Sequence, residues 1–270
     1  YHHPTIGSME DLDAASVEDV HDFFRRHYGP DNSVITLCGD VTPEHGFALV
    51  ERYFADLPAR GRDPHPPVDQ LPPLEAPVRV VRREEVPNDR LHIAFRLPVD
   101  DTDDFLAADL ALDCLGGLAS SRLVRRLVRR EQSALGAHAT AWGFVDGVSL
   151  GFVMLDVAPG VDPAHVEEAF VEELEGLLAD GPTAAELEAS LAQAERSWLS
   201  ALASQEERAD LISQHLCLHD DPEAVNTYLD RARAVAPEQV LTAARRWLRP
   251  EARATVAYLR AEVAAEEDVA

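Results

Sequence analysis

Ser16 to Thr36 reads SVEDVHDFFRRHYGPDNSVIT, and Ala236 to Val256 reads APEQVLTAARRWLRPEARATV. At a constant offset and with no gap, Glu18 aligns with Glu238, Val20 with Val240, Arg25-Arg26 with Arg245-Arg246, Pro30 with Pro250 and Asp31 with Glu251. Each copy spells a helix, a Pro-containing stop and a strand, in that order. In the first copy Ser16 is an N-cap candidate with Asp19 as its acidic partner three residues on, and Val20, Phe23, Phe24 and Tyr28 supply the apolar face.

The second copy closes a stretch that begins near Val78, so the first copy should close a comparable stretch of its own. Only about sixty residues precede a Pro-rich segment, and a helix-strand-helix of that size leaves its apolar face and strand edge uncovered. Four parts are therefore expected: 1–60 as the tail of a first, truncated domain, 61–77 as a linker, 78–262 as a complete second domain, and 263–270 as an acidic tail. In the linker, Pro64, Pro66, Pro67, Pro72, Pro73 and Pro77 forbid helix and central strand alike.

The first sixty residues carry the helix from Ser16 to Tyr28, a short strand from Ser33 to Cys38, and a second helix from Thr42 or Pro43 to about Phe54. Past the linker, Val78 to Glu85 and Arg90 to Leu97 read as strands joined by the turn residues Pro87-Asn88-Asp89. A helix follows from Thr102 to Leu115, then a short one from Ser120 to about Glu131. Two strands come next, around His138 to Phe144 and Val148 to Val157, then helices to about Arg249 and a last strand from Ala254 to Leu259. This order predicts an α+β fold, an antiparallel sheet with helices on one face, repeated as pseudo-twofold domains of which the first is truncated.

With 270 residues, 46% of them hydrophobic and 27% charged, the chain can build a sizeable core. Forty-nine acidic against 24 basic side chains leave a net charge of −25, which argues against nucleic acid as a partner. Every basic residue is Arg, so a P-loop lysine and Schiff-base chemistry are excluded. Clusters such as Glu167-Glu168, Glu172-Glu173 and Glu206-Glu207 read as solvated helix faces; the alternative is a field that attracts basic peptides. Cys38, Cys114 and Cys217 show no CxxC spacing and read as free buried thiols of a reducing compartment, hence a cytoplasmic location. No apolar run is long enough to span a membrane, and any signal peptide would have to lie ahead of Tyr1.

Three short motifs invite a site reading. His165-Val166-Glu167-Glu168-Ala169 approaches an inverted zinc motif, but Ala169 stands at the second His and the segment reads as a solvent-facing helix start. His215 and His219 are one helical turn apart, with Cys217 roughly opposite, at what reads as an ordinary helix terminus. Gly116-Gly117-Leu118-Ala119-Ser120-Ser121 could cradle a phosphate through backbone N–H groups, yet the full P-loop pattern is missing.

His3-Pro4-Thr5-Ile6-Gly7, Ser16-Val17-Glu18-Asp19-Val20, Tyr28-Gly29-Pro30-Asp31-Asn32, Gly39-Asp40-Val41, Leu115-Gly116-Gly117, Ser120-Ser121-Arg122-Leu123, Arg130-Glu131 and Pro237-Glu238-Gln239-Val240 follow one another in a telling order. Together they make the chain resemble the C-terminal portion of the insulinase/pitrilysin family of zinc peptidases, which includes the mitochondrial processing peptidase subunits. The resemblance implies zinc-dependent endopeptidase activity for a full-length protein, with an H-x-x-E-H motif in the first domain. That motif is missing here, so the resemblance assigns no catalytic and no metal residue to this chain, and the fragment alone is expected to be inactive and free of zinc. Many members carry an Arg followed seven positions later by a Tyr that reach the substrate. Arg130 stands at the Arg position and is expected to bind peptide, but Ala137 stands where the Tyr would be, and the neighbouring His138 should point to the opposite strand face. The expected partners are a peptide or unfolded polypeptide and a missing N-terminal part or partner subunit, with a homo- or heterodimer possible and no membrane. Two other readings stay open: a non-catalytic scaffold subunit of a peptidase-like complex, and a small-molecule binding domain.

Overall fold

The computed structural model describes residues 5–61, 68 and 71–261. Its elements run α1 (Met9–Ala14), α2 (Val17–His27), α3 (Pro43–Phe54), β1 (Val78–Glu84), β2 (Arg90–Leu97), α4 (Asp103–Leu112), β3 (Ala134–Trp142), β4 (Ser149–Val157), α5 (Pro163–Asp180), α6 (Ala184–Ala203), α7 (Gln205–His219), α8 (Ala224–Ala234), α9 (Pro237–Trp247) and β5 (Arg253–Arg260). Two π-helical turns, Asp113–Gly117 and Val124–Arg130, extend α4 and replace most of the short helix expected after it. Of the linker prolines, Pro64, Pro66 and Pro67 lie outside the described residues, as do the acidic tail and the opening His3-Pro4.

Backbone contacts divide the chain into two units, Tyr1–Pro67 with Ala201–Val225, and Val68–Ser200 with Asn226–Ala270. Helix α7, counted with the second domain in the sequence reading, thus groups with the first unit.

The second unit holds a five-stranded sheet in the order β1-β5-β2-β4-β3. Along β2 and β4 alternate residues point to opposite faces. Leu91, Ile93, Phe95 and Leu97 with Val153, Leu155 and Val157 are buried on one face, packed with Phe170 and Leu174 of α5 and Val240 and Ala244 of α9. The other face carries His92, Ala94 and Arg96 opposite Met154, Phe152 and Leu150.

The expected hairpin of β1 with β2 does not form. Strand β5 lies between them, antiparallel to β2 and parallel to β1, so the sheet is mixed at this edge. The connection after β1 grips the intruding strand instead of turning tightly: Arg260 donates its backbone N–H to Asp89 Oδ1 (2.6 Å), and Ala261 donates to the Glu84 carbonyl (2.9 Å). A five-residue connection easily spans two strand spacings of about 4.8 Å each.

The repeat survives in three dimensions. Helix α2 and helix α9 begin and end at equivalent positions, and the 3₁₀ turns Pro30–Asn32 and Pro250–Ala252 follow each at the same distance. Ser16 and Asp19 form a full capping box; at the equivalent site Gln239 keeps half of it, accepting the Ala236 N–H at 2.8 Å. Burial separates the copies. In α9, Val240, Ala243, Ala244 and Trp247 are buried, whereas their counterparts Val20, Phe23 and Phe24 are 60%, 54% and 52% exposed. The expected strand Ser33–Cys38 is likewise absent as a strand: the segment is extended but pairs with no strand among the described residues, while its counterpart β5 is paired on both sides. A strand is a pairing, and the first copy lacks the neighbours.

The three thiols are free, with Cys114 buried; Cys217, expected inside, is exposed on α7.

The matched valines give a direct test. Val240→Ala should cost about 1.5–3 kcal/mol in urea unfolding, because a buried aliphatic side chain loses its packing, whereas Val20→Ala should change stability by under about 0.5 kcal/mol. Equal losses would mean that the exposure difference is not real.

Candidate functional site

The run Val124-Arg125-Arg126-Leu127-Val128-Arg129-Arg130 winds as a π turn in which Leu127 is buried and the arginines fan outward. Arg126 reaches Glu131 (2.8 Å), Glu172 (2.5 Å) and Glu173 (3.4 Å). Just ahead of the turn, Arg122 forks onto Glu186 (2.8 and 2.9 Å) and also donates to the Gly181 carbonyl. Burial alone would raise the Glu186 carboxyl, but the Arg122 fork and the Thr183 N–H pull it down to about 2. These two arginines are consumed in holding α5 and α6. Arg130, the sequence-predicted peptide ligand, is different: its side chain is 70% exposed and its nearest carboxylate, Glu131, is 3.7 Å away.

On β3, Ala137 packs against the core and His138 is exposed on the opposite face, as strand alternation requires. A methyl at this position supplies packing and no hydrogen bond.

The Gly-rich segment is a close-packed turn. A Cβ on Gly116 would stand 2.9 Å from the Ala139 Cβ and 3.0 Å from its nitrogen, and one on Gly117 would strike the Asp113 carboxylate. The His165–Ala169 segment begins α5, with Val166 and Ala169 buried. Its Glu167 is not solvent-facing, in contrast to the expectation: it accepts from Arg79, from Arg253 (3.3 Å) and from Thr255 Oγ1 (3.4 Å), which locks the start of α5 to β1 and β5. His215 and His219 lie in the last turns of α7 with ring centroids 5.7 Å apart. Among the described residues no group of three or more His, Cys, Asp or Glu side chains could hold a metal ion. The residues present therefore do not fit a zinc site, and no chemical step is routed through one.

Sequence reasoning missed an internal acidic cluster, although Asp109 and Asp113, one turn apart in an otherwise apolar helix, were its signal. Asp113 accepts the Ser190 hydroxyl at 2.7 Å, and Asp109 accepts the Ala141 backbone N–H. Withdrawal from solvent, reinforced by the Asp113 charge, pushes Asp109 up to about 7. Burial and the same carboxylates push Tyr228 up to about 12.

The first unit presents a second feature. In the segment 33–38, Val34, Thr36 and Cys38 are half-buried while Ile35 and Leu37 on the other face are exposed. Ile35 and Leu37 line an apolar pocket of about 240 Å³ together with Val41, Gly46, Phe47 and Val50. Val20, Phe23, Phe24 and Tyr28 of the same unit are exposed as well, and large apolar side chains left exposed in such number mark an interface.

Residues 14–194 match the family model described as the peptidase M16 inactive domain. An uncharacterised zinc protease of Mycobacterium leprae is 27% identical over 184 residues, covering 68% of this chain and 41% of the relative. The zinc protease PqqE of Helicobacter pylori is 25% identical over 222 residues, covering 82% of this chain and 50% of the relative. The chain thus spans half or less of the length of these curated relatives. Among solved structures, a protease from Helicobacter pylori superposes with a TM-score of 0.84 at 21% identity, over 94% of this chain and 61% of that one. A peptidase M16 inactive domain from Pseudomonas fluorescens gives 0.80 at 19% identity, over 98% and 62%. Among the described residues no helix is long and apolar enough to cross a membrane.

The acidic cluster predicts a pH dependence. Because the folded-state pKa of Asp109 lies above its unfolded value, the native state holds the proton more tightly, and stability falls as pH rises from about 4 through about 7. Asp109→Asn should flatten that slope in chemical unfolding measured between pH 4 and 8. An unchanged slope would remove Asp109 as its source.

Proposed function

The chain belongs to the family described as the peptidase M16 inactive domain, and on that premise we propose that it is the non-catalytic C-terminal portion of a zinc-dependent metalloendopeptidase. In this reading the hydrolytic zinc and its ligands reside on an upstream domain or partner subunit, and this chain supplies the second wall of a peptide-holding chamber. The observation that carries it is the exposed first copy of the repeat. Val20, Phe23, Phe24, Ile35 and Leu37 form a face whose counterpart in the second unit is buried under a sheet and helices. An equivalent sheet and its helices, borne upstream, are what fits it.

Arg130 contributes to peptide binding in this reading. Its guanidinium is free of strong ion pairs and can donate to carbonyls or a carboxylate of an extended substrate. Ala137 favours a second reading, a scaffold subunit whose chemistry has decayed, because the family Tyr hydroxyl has no replacement at that position. The sequence upstream of Tyr1 separates the two: an intact H-x-x-E-H motif selects the peptidase.

Two measurements test the reading. Metal analysis of this chain after dialysis should find no stoichiometric zinc, and peptide hydrolysis should require the upstream half; zinc retained at one per chain would overturn the assignment. In the full-length enzyme, Arg130→Ala should raise KM about ten-fold with kcat little changed, the signature of lost uniform binding. A loss confined to kcat, or no change at all, would contradict a peptide-binding role.

A further inference from the structure

The arginine run ends in a turn whose winding is set twice by one pair of residues. Glu131 donates its backbone N–H to the Arg126 carbonyl (2.9 Å), the bond between residues five apart that defines a π turn. The side chains of the same two residues meet as well, Arg126 Nε donating to Glu131 Oε1 at 2.8 Å. In an α-helix, with 3.6 residues per turn, positions 126 and 131 would stand about 140° apart around the axis and their side chains would diverge. The ion pair and the π winding therefore require each other.

The exit from the turn is held just as firmly. Ser133 donates its N–H to the Leu127 carbonyl (2.9 Å), and Ala158, just past β4, donates to the Ser133 carbonyl (3.0 Å). Between them Gln132 takes a left-handed φ of 54°, a backbone that non-glycine residues keep only where the surroundings over-determine it. Arg126 is in turn gripped by Glu172 and Glu173 of α5. The backbone of Arg130 is thus pinned on both sides, while its side chain stands outside. The Glu131 carboxylate faces the Arg130 guanidinium (3.7 Å) with Oε1, and His165 Nε2 (3.6 Å) and Ser133 Oγ (3.5 Å) with Oε2. The Arg126 hydrogen bond holds this carboxyl below the usual carboxylate range, so it remains an ionised acceptor at neutral pH.

Resting on the peptide-binding reading of Arg130, we propose that Glu131 is its positioning residue: tied to Arg126 across the π turn, it sets the direction in which the Arg130 guanidinium meets the substrate. Glu131 itself touches neither substrate nor reacting atoms in this account. Were the tie cut, the turn could relax toward α winding, and Arg130 would be carried around the axis with it. A peptide would then have to order the arginine as it binds, a cost that a preorganised side chain avoids. Such a cost falls equally on substrate and transition state, and so appears in KM and not in kcat.

Two conservative substitutions separate the tie from the charge. Glu131→Gln keeps an oxygen within reach of Arg126 Nε and loses the charge, whereas Glu131→Asp keeps the charge and falls one methylene short of the bond. In the full-length enzyme hydrolysing an internally quenched decapeptide, Glu131→Asp should raise KM about five-fold with kcat little changed, and Glu131→Gln should stay within about two-fold of the native KM. Adding Glu131→Asp to Arg130→Ala should change nothing further, because the residue being positioned is gone. If Arg130→Ala alone leaves KM unchanged, the peptide-binding reading falls and this inference with it. If Arg130→Ala raises KM and Glu131→Asp does not, the positioning role alone falls. The reverse order of the two variants, with Gln impaired and Asp intact, would assign the effect to charge beside Arg130 and overturn the tie. Effects of Glu131→Asp and Arg130→Ala that multiply would mean that Glu131 acts by a route of its own, which also overturns it.

Discussion

A helix with one apolar stripe followed by a strand cannot be stable in water on its own, because the stripe and both strand edges must be covered by something. Burying a side chain such as Val or Phe contributes roughly 1.5–3 kcal/mol, and each unpaired strand edge leaves backbone donors and acceptors to water. The molecule meets this constraint once and leaves it unmet once, in two copies of the same unit. In the second copy β5 is flanked by β1 and β2 while α9 packs on α4 and α5. In the first copy the helix, the 3₁₀ turn and the extended segment are all present, while Val20, Phe23, Phe24, Ile35 and Leu37 stand exposed and no strand among the described residues pairs with the segment. Identical local structure in unlike surroundings shows that helix α2 is specified by its capping box and periodicity, whereas strand character at 33–38 is specified by neighbours.

That division also explains what could be read from the sequence. Helix starts were legible where their determinants are local: Ser16 with Asp19, and Thr102, whose hydroxyl accepts the Phe105 N–H. Strand alternation in β2 and β4 was legible for the same reason. Strand order was not. Nothing between Glu85 and Asp89 announces that β5, about 170 residues later, will enter between β1 and β2, since the bond from Arg260 to Asp89 is a matter of tertiary approach. Glu167 was misread on similar grounds: in sequence it is one acid among many on an amphipathic helix, and only the arrival of Arg79 and Arg253 makes it a clamp.

The arginine run shows the limit more finely. Arg122, Arg125, Arg126, Arg129 and Arg130 are chemically alike, and the motif singled out Arg130 only through a family resemblance. The π turn decides among them, because its extra residue per turn swings Arg126 onto Glu131, Glu172 and Glu173 and leaves Arg130 outward.

The central claim is that one repeated unit is complete in its second occurrence and awaits cover in its first. Amide hydrogen exchange read site by site tests it most directly. In this chain alone, the amides of Val34 to Cys38 should exchange far faster than the equivalent amides of Ala254 to Tyr258, and in the full-length protein the two sets should become comparably slow. Equal protection of both sets in the chain alone would contradict the account, because the first copy would then already have its partners.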